Sequence, residues 1–405
     1  MSRGRPFQAL LSYDEAMARV LERVRPVEGT ETVPLKEAHD RVLARDLVAT
    51  MDVPPFDRAA MDGYAVRAED TYGASDLGPV ILKAVGTVHA GDASTVAVRE
   101  GECVYTATGA MKPQGADAEV MVEYTEETDE GVAIRRPVHP GENIVVRGSD
   151  IRKDSVPLKT GMELGASRIG TAAALGTSHL KVFRRPRVAV FGTGNEVRPV
   201  GSKLGPGQVY DVNTYTISMV VERAGSETTM TGLVEDSREV LMAALLQGMD
   251  VADMVVFTGG SSVGERDLLI DVFEEWGEVL FHGVQVKPGK PVLAAVNEGA
   301  IAFGLPGYPT SCLSSGALFL EPVLAKMGRR KKVPTPMVEA EMGRRVVSTI
   351  GRTHILTVKL VDGIAHPAFK GSGAITSMAE ADGYIIIPAN VDLVEGGERV
   401  DVFLL

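Results

Sequence analysis

The alternation of apolar and polar positions divides this chain before any chemistry is considered. Ser12-Tyr13-Asp14-Glu15 has the form of a capping box, and Ala16, Met17, Val20, Leu21 and Val24 follow at helical spacing. A second amphipathic segment spans Leu35 to Leu47. The pattern breaks at Val53-Pro54-Pro55-Phe56, where paired prolines forbid a helix and favour extended backbone. From Val80 to Ile134 the period shortens. Val80-Ile81-Leu82, Cys103-Val104-Tyr105 and Val120-Met121-Val122 read as strands between Gly and Asp turns, predicting a compact barrel or sandwich inserted into the chain. Leu164 to Leu175 reads as an Ala-rich helix ended by Gly176, expected to rejoin the N-terminal helices in one discontinuous domain.

Beyond Arg184-Arg185-Pro186-Arg187, strands and helices alternate. Strands Val188–Phe191, Glu227–Val234 and Met254–Thr258 are separated by helices Tyr215–Ala224 and Ser237–Leu246, the latter with Asp236 as its predicted cap. Asp267 opens a further helix, Leu268–Trp276, and helix Thr310–Met327 closes the region. This order predicts a mainly parallel α/β sheet with helices on both faces. After the basic, proline-containing stretch 329–336 the pattern is β again, and Thr353 to Leu360 alternate as a one-sided strand, which suggests a small C-terminal β-barrel. The expected division is 1–50 with 146–181 as a discontinuous N-terminal domain, 51–145 as an inserted β domain, 182–330 as the α/β domain, and 331–405 as the barrel.

Composition removes several functions. Of 405 residues, 42 are basic and 54 acidic, a net charge of −12 that disfavours a general nucleic-acid or anionic-membrane binder. Cys103 and Cys312 alone supply neither a disulfide framework nor a CxxC metal site, and the seven histidines lack metal-ligand spacing. No apolar run reaches transmembrane length and the first residues carry no signal-type apolar region, so a cytoplasmic enzyme is expected.

The candidate chemistry sits in small-residue loops. Gly259-Gly260-Ser261-Ser262-Val263-Gly264 follows a strand and precedes a helix, a placement that lets backbone amides approach an anion. Alone it is equally an ordinary βα turn. Lys287-Pro288-Gly289-Lys290-Pro291 and Gly304-Leu305-Pro306-Gly307-Tyr308-Pro309 also follow predicted strands, so three loops converge on one sheet edge, where such sheets bind ligands. Gly192-Thr193-Gly194-Asn195-Glu196 begins like a dinucleotide fingerprint but lacks the third glycine. The lysine loop is not a nucleoside-triphosphate P-loop, since Val284 stands at the required glycine and Pro291 at the metal-binding Ser/Thr. What remains is two lysines on proline-stiffened backbone, suited to an oxyanion or phosphate. The stretch Pro54 to Ala65 places Asp57 and Asp62 beside Arg58 and Gly63, more chemistry than a linker needs. Thr106-Ala107-Thr108-Gly109-Ala110 reads as a structural turn that could also hold an oxyanion.

Read together, PPFDRAAMDGYA, TATGA, RGSDI, GTGNE, YDVN, GGSSVGERD, KPGKP and GLPGYP stand in the order and spacing of one family. The chain resembles the molybdopterin molybdenumtransferases, and is similar also to the E domain of gephyrin. The resemblance implies a homodimer of four-domain subunits with an active cleft between the α/β domain of one and the Pro-Pro-Phe-Asp domain of the other. It implies molybdate and adenylylated molybdopterin as substrates, release of AMP, and Mg²⁺ as the assisting ion. It further implies molybdopterin adenylyltransferase and recipient molybdoenzymes as protein partners. Carried over to matching positions, the catalytic carboxylates are Asp57, Asp62, Asp150, Glu196, Asp236 and Asp267, of which Glu196, Asp236 and Asp267 hold the metal. The substrate-binding set is Thr108, Gly259, Gly260, Ser262, Gly264, Lys287, Lys290, Pro306, Gly307 and Ser377. Arg58-Ala59 departs from the family's Asn-Ser, and Tyr308 from its Asn. A molybdopterin adenylyltransferase, a tungsten-inserting relative and a non-enzymatic gephyrin-like scaffold are the alternatives.

Overall fold

The structure, a computed structural model, describes residues 10–260, 268–331 and 336–404. It contains two compact units, one of Met1–Glu31, Asp40–Val42 and Lys181–Leu405, the other of Thr32–His39 and Leu43–Leu180.

The first unit is built on a six-stranded sheet in the order Glu227–Val234, Arg187–Thr193, Met254–Thr258, Ala300–Leu305, Leu293–Asn297, Glu278–His282. Five strands run in one direction, and Leu293–Asn297 alone is antiparallel to its two neighbours. Strand period two sends alternate residues to opposite faces. Val188, Val190 and Val256 therefore enter one core, and Ala189, Phe191 and Phe257 the other. Helix Tyr13–Arg23 forms with its predicted capping box, the Glu15 N–H donating to Ser12 Oγ and the Ser12 N–H to Glu15 Oε2. Its buried stripe, Ala16, Met17 and Val20, belongs to the α/β core, whereas the sequence reading joins it to 146–181. The predicted helix 310–327 is interrupted. Helices Pro309–Ser315 and Glu321–Met327 flank a π turn over Gly316–Leu320. Pro322 has no N–H for the Leu318 carbonyl, which instead accepts from the Tyr13 hydroxyl at 3.0 Å.

The C-terminal residues form a closed five-stranded barrel: Thr353–Val361, Ile364–Pro367, Met337–Met342, Arg399–Leu404 and Gly383–Ile387, which pairs back to Thr353–Val361. Its first strand is not one-sided. His354 to Val358 are all buried, with Leu356 and Val358 inside the barrel and Ile355 in the α/β core. The two-residue strand Val286–Lys287 pairs alongside it, joining the lysine loop to the barrel.

The second unit carries the inserted β region as one six-stranded sheet, in the order Ala118–Met121, Gly63–Val66, Glu102–Thr106, Val80–Val88, Gly131–Ile134, Thr125–Thr128. All three predicted strands are present, with a separate core on each face of a single sheet rather than a sandwich of two. Helix Ala166–Ala174 ends as expected before Gly176 at φ +70°. The segment 35–47 is not a helix. A single 3₁₀ turn, Leu35–Glu37, is followed by Asp40 at φ +59°, and the Leu43 and Leu47 amides donate to Met162 and Leu158 carbonyls. Amphipathic spacing here served pairing with a distant segment.

Candidate active site

In the first unit the site grows from the carboxyl ends of the parallel strands. Gly259 and Gly260 adopt φ +97° and +68°, a left-handed path that other residues enter at a cost. A Cβ on Gly259 would lie 2.7 Å from the Thr193 carbonyl, so the loop passes directly over the end of the neighbouring strand. A Cβ on Gly260 would lie 3.6 Å from Asp236 Oδ1, which brings that carboxylate onto the loop. Glu196 reaches back to Gly194, its Oε2 2.8 Å from where a Cβ would stand. Gly307 comes to the same place, 3.5 Å from the Gly259 Cα by the same measure, and its carbonyl accepts from Asn213 Nδ2 at 2.8 Å. Asp211 starts helix Asn213–Arg223 by accepting the Thr214 N–H at 3.0 Å. Helix Arg238–Val251 is capped by Ser237, whose Oγ accepts the Val240 N–H. The predicted cap, Asp236, is therefore one residue outside the capping position and its carboxylate is directed to the Gly260 loop.

The same edge is lined with unsatisfied polar atoms. Thr193 Oγ1, Thr214 Oγ1, Thr258 Oγ1 and Asn213 Oδ1 are buried and have no hydrogen-bond partner among the described residues. Such groups are uncommon in native proteins and call for a bound polar ligand or water. None of these four was singled out in the sequence; a hydroxyl residue ending a buried strand is the signal that points to Thr193 and Thr258.

The lysine loop and the barrel adjoin this edge within the same unit. Lys287 Nζ donates to Thr349 Oγ1 at 3.4 Å, and Lys287 stands in register with His354. His354 is buried. Desolvation first, then the Lys287 ammonium, push its imidazole down to about 4, so it is neutral at physiological pH. Its Nδ1 lies 3.3 Å from Ser348 Oγ. The Lys290 carbonyl accepts the Val284 and Val292 amides, fixing the loop that carries both lysines. Thr310 ties the Gly307-Tyr308 turn to the barrel, its N–H donating to the Ser372 carbonyl and its hydroxyl to the Ala374 carbonyl. Ser377 is fully buried, and its Oγ accepts the Lys370 N–H at 2.9 Å, so it braces this barrel loop. Pro306 is buried, while Gly307 and Tyr308 are exposed.

The second unit gathers a different group. Short strands Arg58–Ala59 and Ile144–Val145 pair, and the Gly109 N–H donates to the Ala59 carbonyl, so three sequence motifs meet. Asp57 Oδ1 accepts the Arg147 N–H at 2.8 Å, and the Asp150 N–H donates to the Val53 carbonyl. Asp62 Oδ1 accepts both the Thr108 N–H at 2.7 Å and the Thr108 hydroxyl at 2.9 Å. The backbone donor first, then the hydroxyl, hold this exposed carboxylate below its ordinary range. Asp52, which the sequence reading passed over, anchors Arg147 through Nε at 2.6 Å and takes the Lys153 N–H.

Three family models match consecutive regions: the MoeA N-terminal region (domain I and II) over residues 11–176, the "Probable molybdopterin binding domain" over 189–326, and the MoeA C-terminal region (domain IV) over 339–405. The chain is 31% identical to the molybdopterin molybdenumtransferase of Staphylococcus aureus over 396 residues, covering 96% of this chain and 94% of that one. It is 30% identical to the Haemophilus influenzae molybdopterin molybdenumtransferase, covering 97% and 98%. The chain belongs to the molybdopterin molybdenumtransferase family. A crystal structure of the molybdopterin biosynthesis MoeA protein from Pyrococcus horikoshii superposes with a TM-score of 0.85 at 32% identity, covering 98% of this chain and all of that one.

Of the residues matched to the family pattern, Glu196, Asp236, Gly259, Gly260, Pro306 and Gly307 share one sheet edge, with Lys287 and Lys290 in the same unit. Asp57, Asp62, Thr108 and Asp150 lie in the other. Ser262, Gly264 and Asp267 lie outside the described residues. Among the described residues no group of three or more His, Cys, Asp or Glu could hold a metal ion, and no helix is long and apolar enough to cross a membrane.

Proposed function

We propose that this chain is the molybdopterin molybdenumtransferase of its cell, a transferase that inserts molybdenum from molybdate into adenylylated molybdopterin and releases AMP. The observation that carries this reading is the rim of buried polar atoms at the α/β sheet edge, without a hydrogen-bond partner among the described residues, beside paired lysines. Such a rim suits a polar, phosphate-bearing ligand. Lys287 and Lys290 would neutralise phosphate or the tetrahedral oxyanion, and the Gly259-Gly260 backbone would approach it closely. Water attacking the pterin-side phosphorus would break the phosphoanhydride, AMP leaving with the bonding electron pair and the water's proton passing to solvent.

The oxygen-only donor set of Glu196 and Asp236, with Asp267, suits a hard divalent cation such as Mg²⁺. That ion commonly uses one or two carboxylates and completes its shell with substrate phosphate and water. When bound, it would spread the negative charge of the phosphoanhydride. The same reading takes the protein to be a cytoplasmic homodimer of four-domain subunits, receiving substrate from molybdopterin adenylyltransferase and passing product to molybdoenzymes. Three family regions along the chain disfavour an adenylyltransferase alone, and the full carboxylate set disfavours a pure scaffold. The test offers purified protein adenylylated molybdopterin with molybdate, with tungstate, or with neither. AMP release that depends on molybdate supports the reading. Consumption of ATP with unmodified molybdopterin would instead mark an adenylyltransferase.

A further inference from the structure

Glu119 is a carboxylic acid where the fold calls for a hydrocarbon. It lies in strand Ala118–Met121 between Ala118 and Val120, and all three residues are fully buried. Its Oε1 is 3.0 Å from the Thr106 hydroxyl, and its Oε2 is buried with no hydrogen-bond partner among the described residues. The Thr106 hydroxyl is also 3.4 Å from the Gly63 carbonyl. A hydroxyl has one proton to give. Both lines are satisfied at once only when Glu119 carries a proton and donates to Thr106 Oγ1, while Thr106 donates to Gly63. The relay ends one residue from Asp62, the carboxylate clamped by Thr108. Gly63 itself is pinned, since a Cβ there would lie 2.2 Å from the Val120 carbonyl.

We propose that Glu119 is a positioning residue that works as a proton-bearing acid, holding the Asp62 turn through Thr106, and that its ionisation sets the alkaline limit of the Asp62–Thr108 clamp. Among the described groups, Asp62 is the charge that acts on it. Across the strands stand Ala65 and Thr106, both uncharged. Glu142 and Asn143 meet the Glu119 backbone rather than its carboxyl, and the Lys112 ammonium is spent on the Ala116 carbonyl. Burial, opposed by the Thr106 hydrogen bond and reinforced by the Asp62 charge, raises the Glu119 carboxyl to about 8. An acid in that range is protonated at neutral pH and ionises on mild alkalinisation. A second negative charge then appears behind Asp62 and the relay loses its first donor.

The proposal rests on the reading of Asp62 as a site residue, and its test separates the two. The Asp62 carboxyl carbon, assigned by its loss in Asp62→Asn, is followed by NMR from about pH 6 to about pH 9.5 in the full chain. A second inflection near pH 8 is expected in the wild type and its disappearance in Glu119→Gln, which keeps a donor to Thr106 but cannot ionise. Molybdate-dependent AMP release should fall about tenfold per pH unit above that inflection in the wild type, and stay level in Glu119→Gln. Should Glu119→Gln fail to fold, Thr106→Val keeps the acid but removes its partner, and is expected to carry the inflection to higher pH. A wild-type Asp62 signal without the alkaline inflection, one that persists in Glu119→Gln, or one unmoved in Thr106→Val overturns the proposal. Absent AMP release with the expected NMR behaviour removes the proposed activity and leaves the role of Glu119 intact.

Discussion

At the scale of single residues, the structure separates side chains that cap helices from those that face the sheet edge. Because Ser237 caps helix Arg238–Val251, Asp236→Asn removes a charge without removing a cap. A lost cap costs about 0.5–2 kcal/mol, so the variant is expected to melt within a degree or two of the wild type while losing metal insertion. Retained turnover would make Asp236 a structural loop residue. Lys287→Ala is expected to weaken oxyanion or nucleotide binding roughly 10- to 100-fold, the loss of one charge-assisted hydrogen bond. Calorimetric titration with each ligand checks this. Beneath that lysine, His354 gives a stability signature. Its folded imidazole titrates at about 4, below the ordinary 6.5, so an unfolded chain binds a proton that the folded chain does not. Stability is therefore full above about pH 6.5 and declines as pH falls toward 4, by about 3 kcal/mol in all. His354→Gln should flatten that part of a melting curve taken against pH, and an unchanged slope would place the acid sensitivity elsewhere.

At the scale of elements, backbone geometry decides what the loops present. Gly289, at φ +110°, lies so close to helix Pro309–Ser315 that a Cβ would stand 2.4 Å from Ser315 Oγ. Gly289→Ala combines left-handed strain with a steric clash and is expected to cost roughly 1–3 kcal/mol. It should also weaken anion binding to about the extent of a lysine deletion if the loop shifts; Lys287→Ala, which leaves the backbone alone, should not lower the melting temperature. Elements with one dominant local signal were legible in the sequence. The capping box at Ser12 and the buried strand Met254–Thr258 each have a single local cause, as does the Pro-Pro break. What could not be read was decided by distant partners. The 35–47 stretch has helical spacing, yet its Leu43 and Leu47 amides pair with 158–162. Strand Thr353–Val361 alternates, yet His354 to Val358 are all buried because the outer face meets the α/β core while the Val286–Lys287 strand pairs along its edge. Asp236 has the residue type of a cap, but Ser237 has both the type and the position. The hydroxyls of Thr193, Thr214 and Thr258 become visible as candidates only when burial shows that no described residue satisfies them.

At the scale of the whole molecule, the matched motifs fall into two compact units, each with its own cores. The proposed homodimer is checked by equilibrium sedimentation, which should give a mass near twice the 43.0 kDa chain; a concentration-independent monomer would remove it. The barrel is stitched to the α/β domain through Thr310 and the Lys287–His354 pairing, so those two parts of the first unit are expected to unfold together in calorimetry. On the proposed reading, this chain couples loss of AMP to insertion of a metal. The most direct measurement is the ratio of AMP released to molybdenum retained on the pterin when adenylylated molybdopterin is the sole nucleotide and molybdate is withheld or supplied. Little AMP is expected without molybdate, and about one AMP per molybdenum atom inserted when it is present. AMP release independent of molybdate, or no metal on the pterin, would contradict that reading.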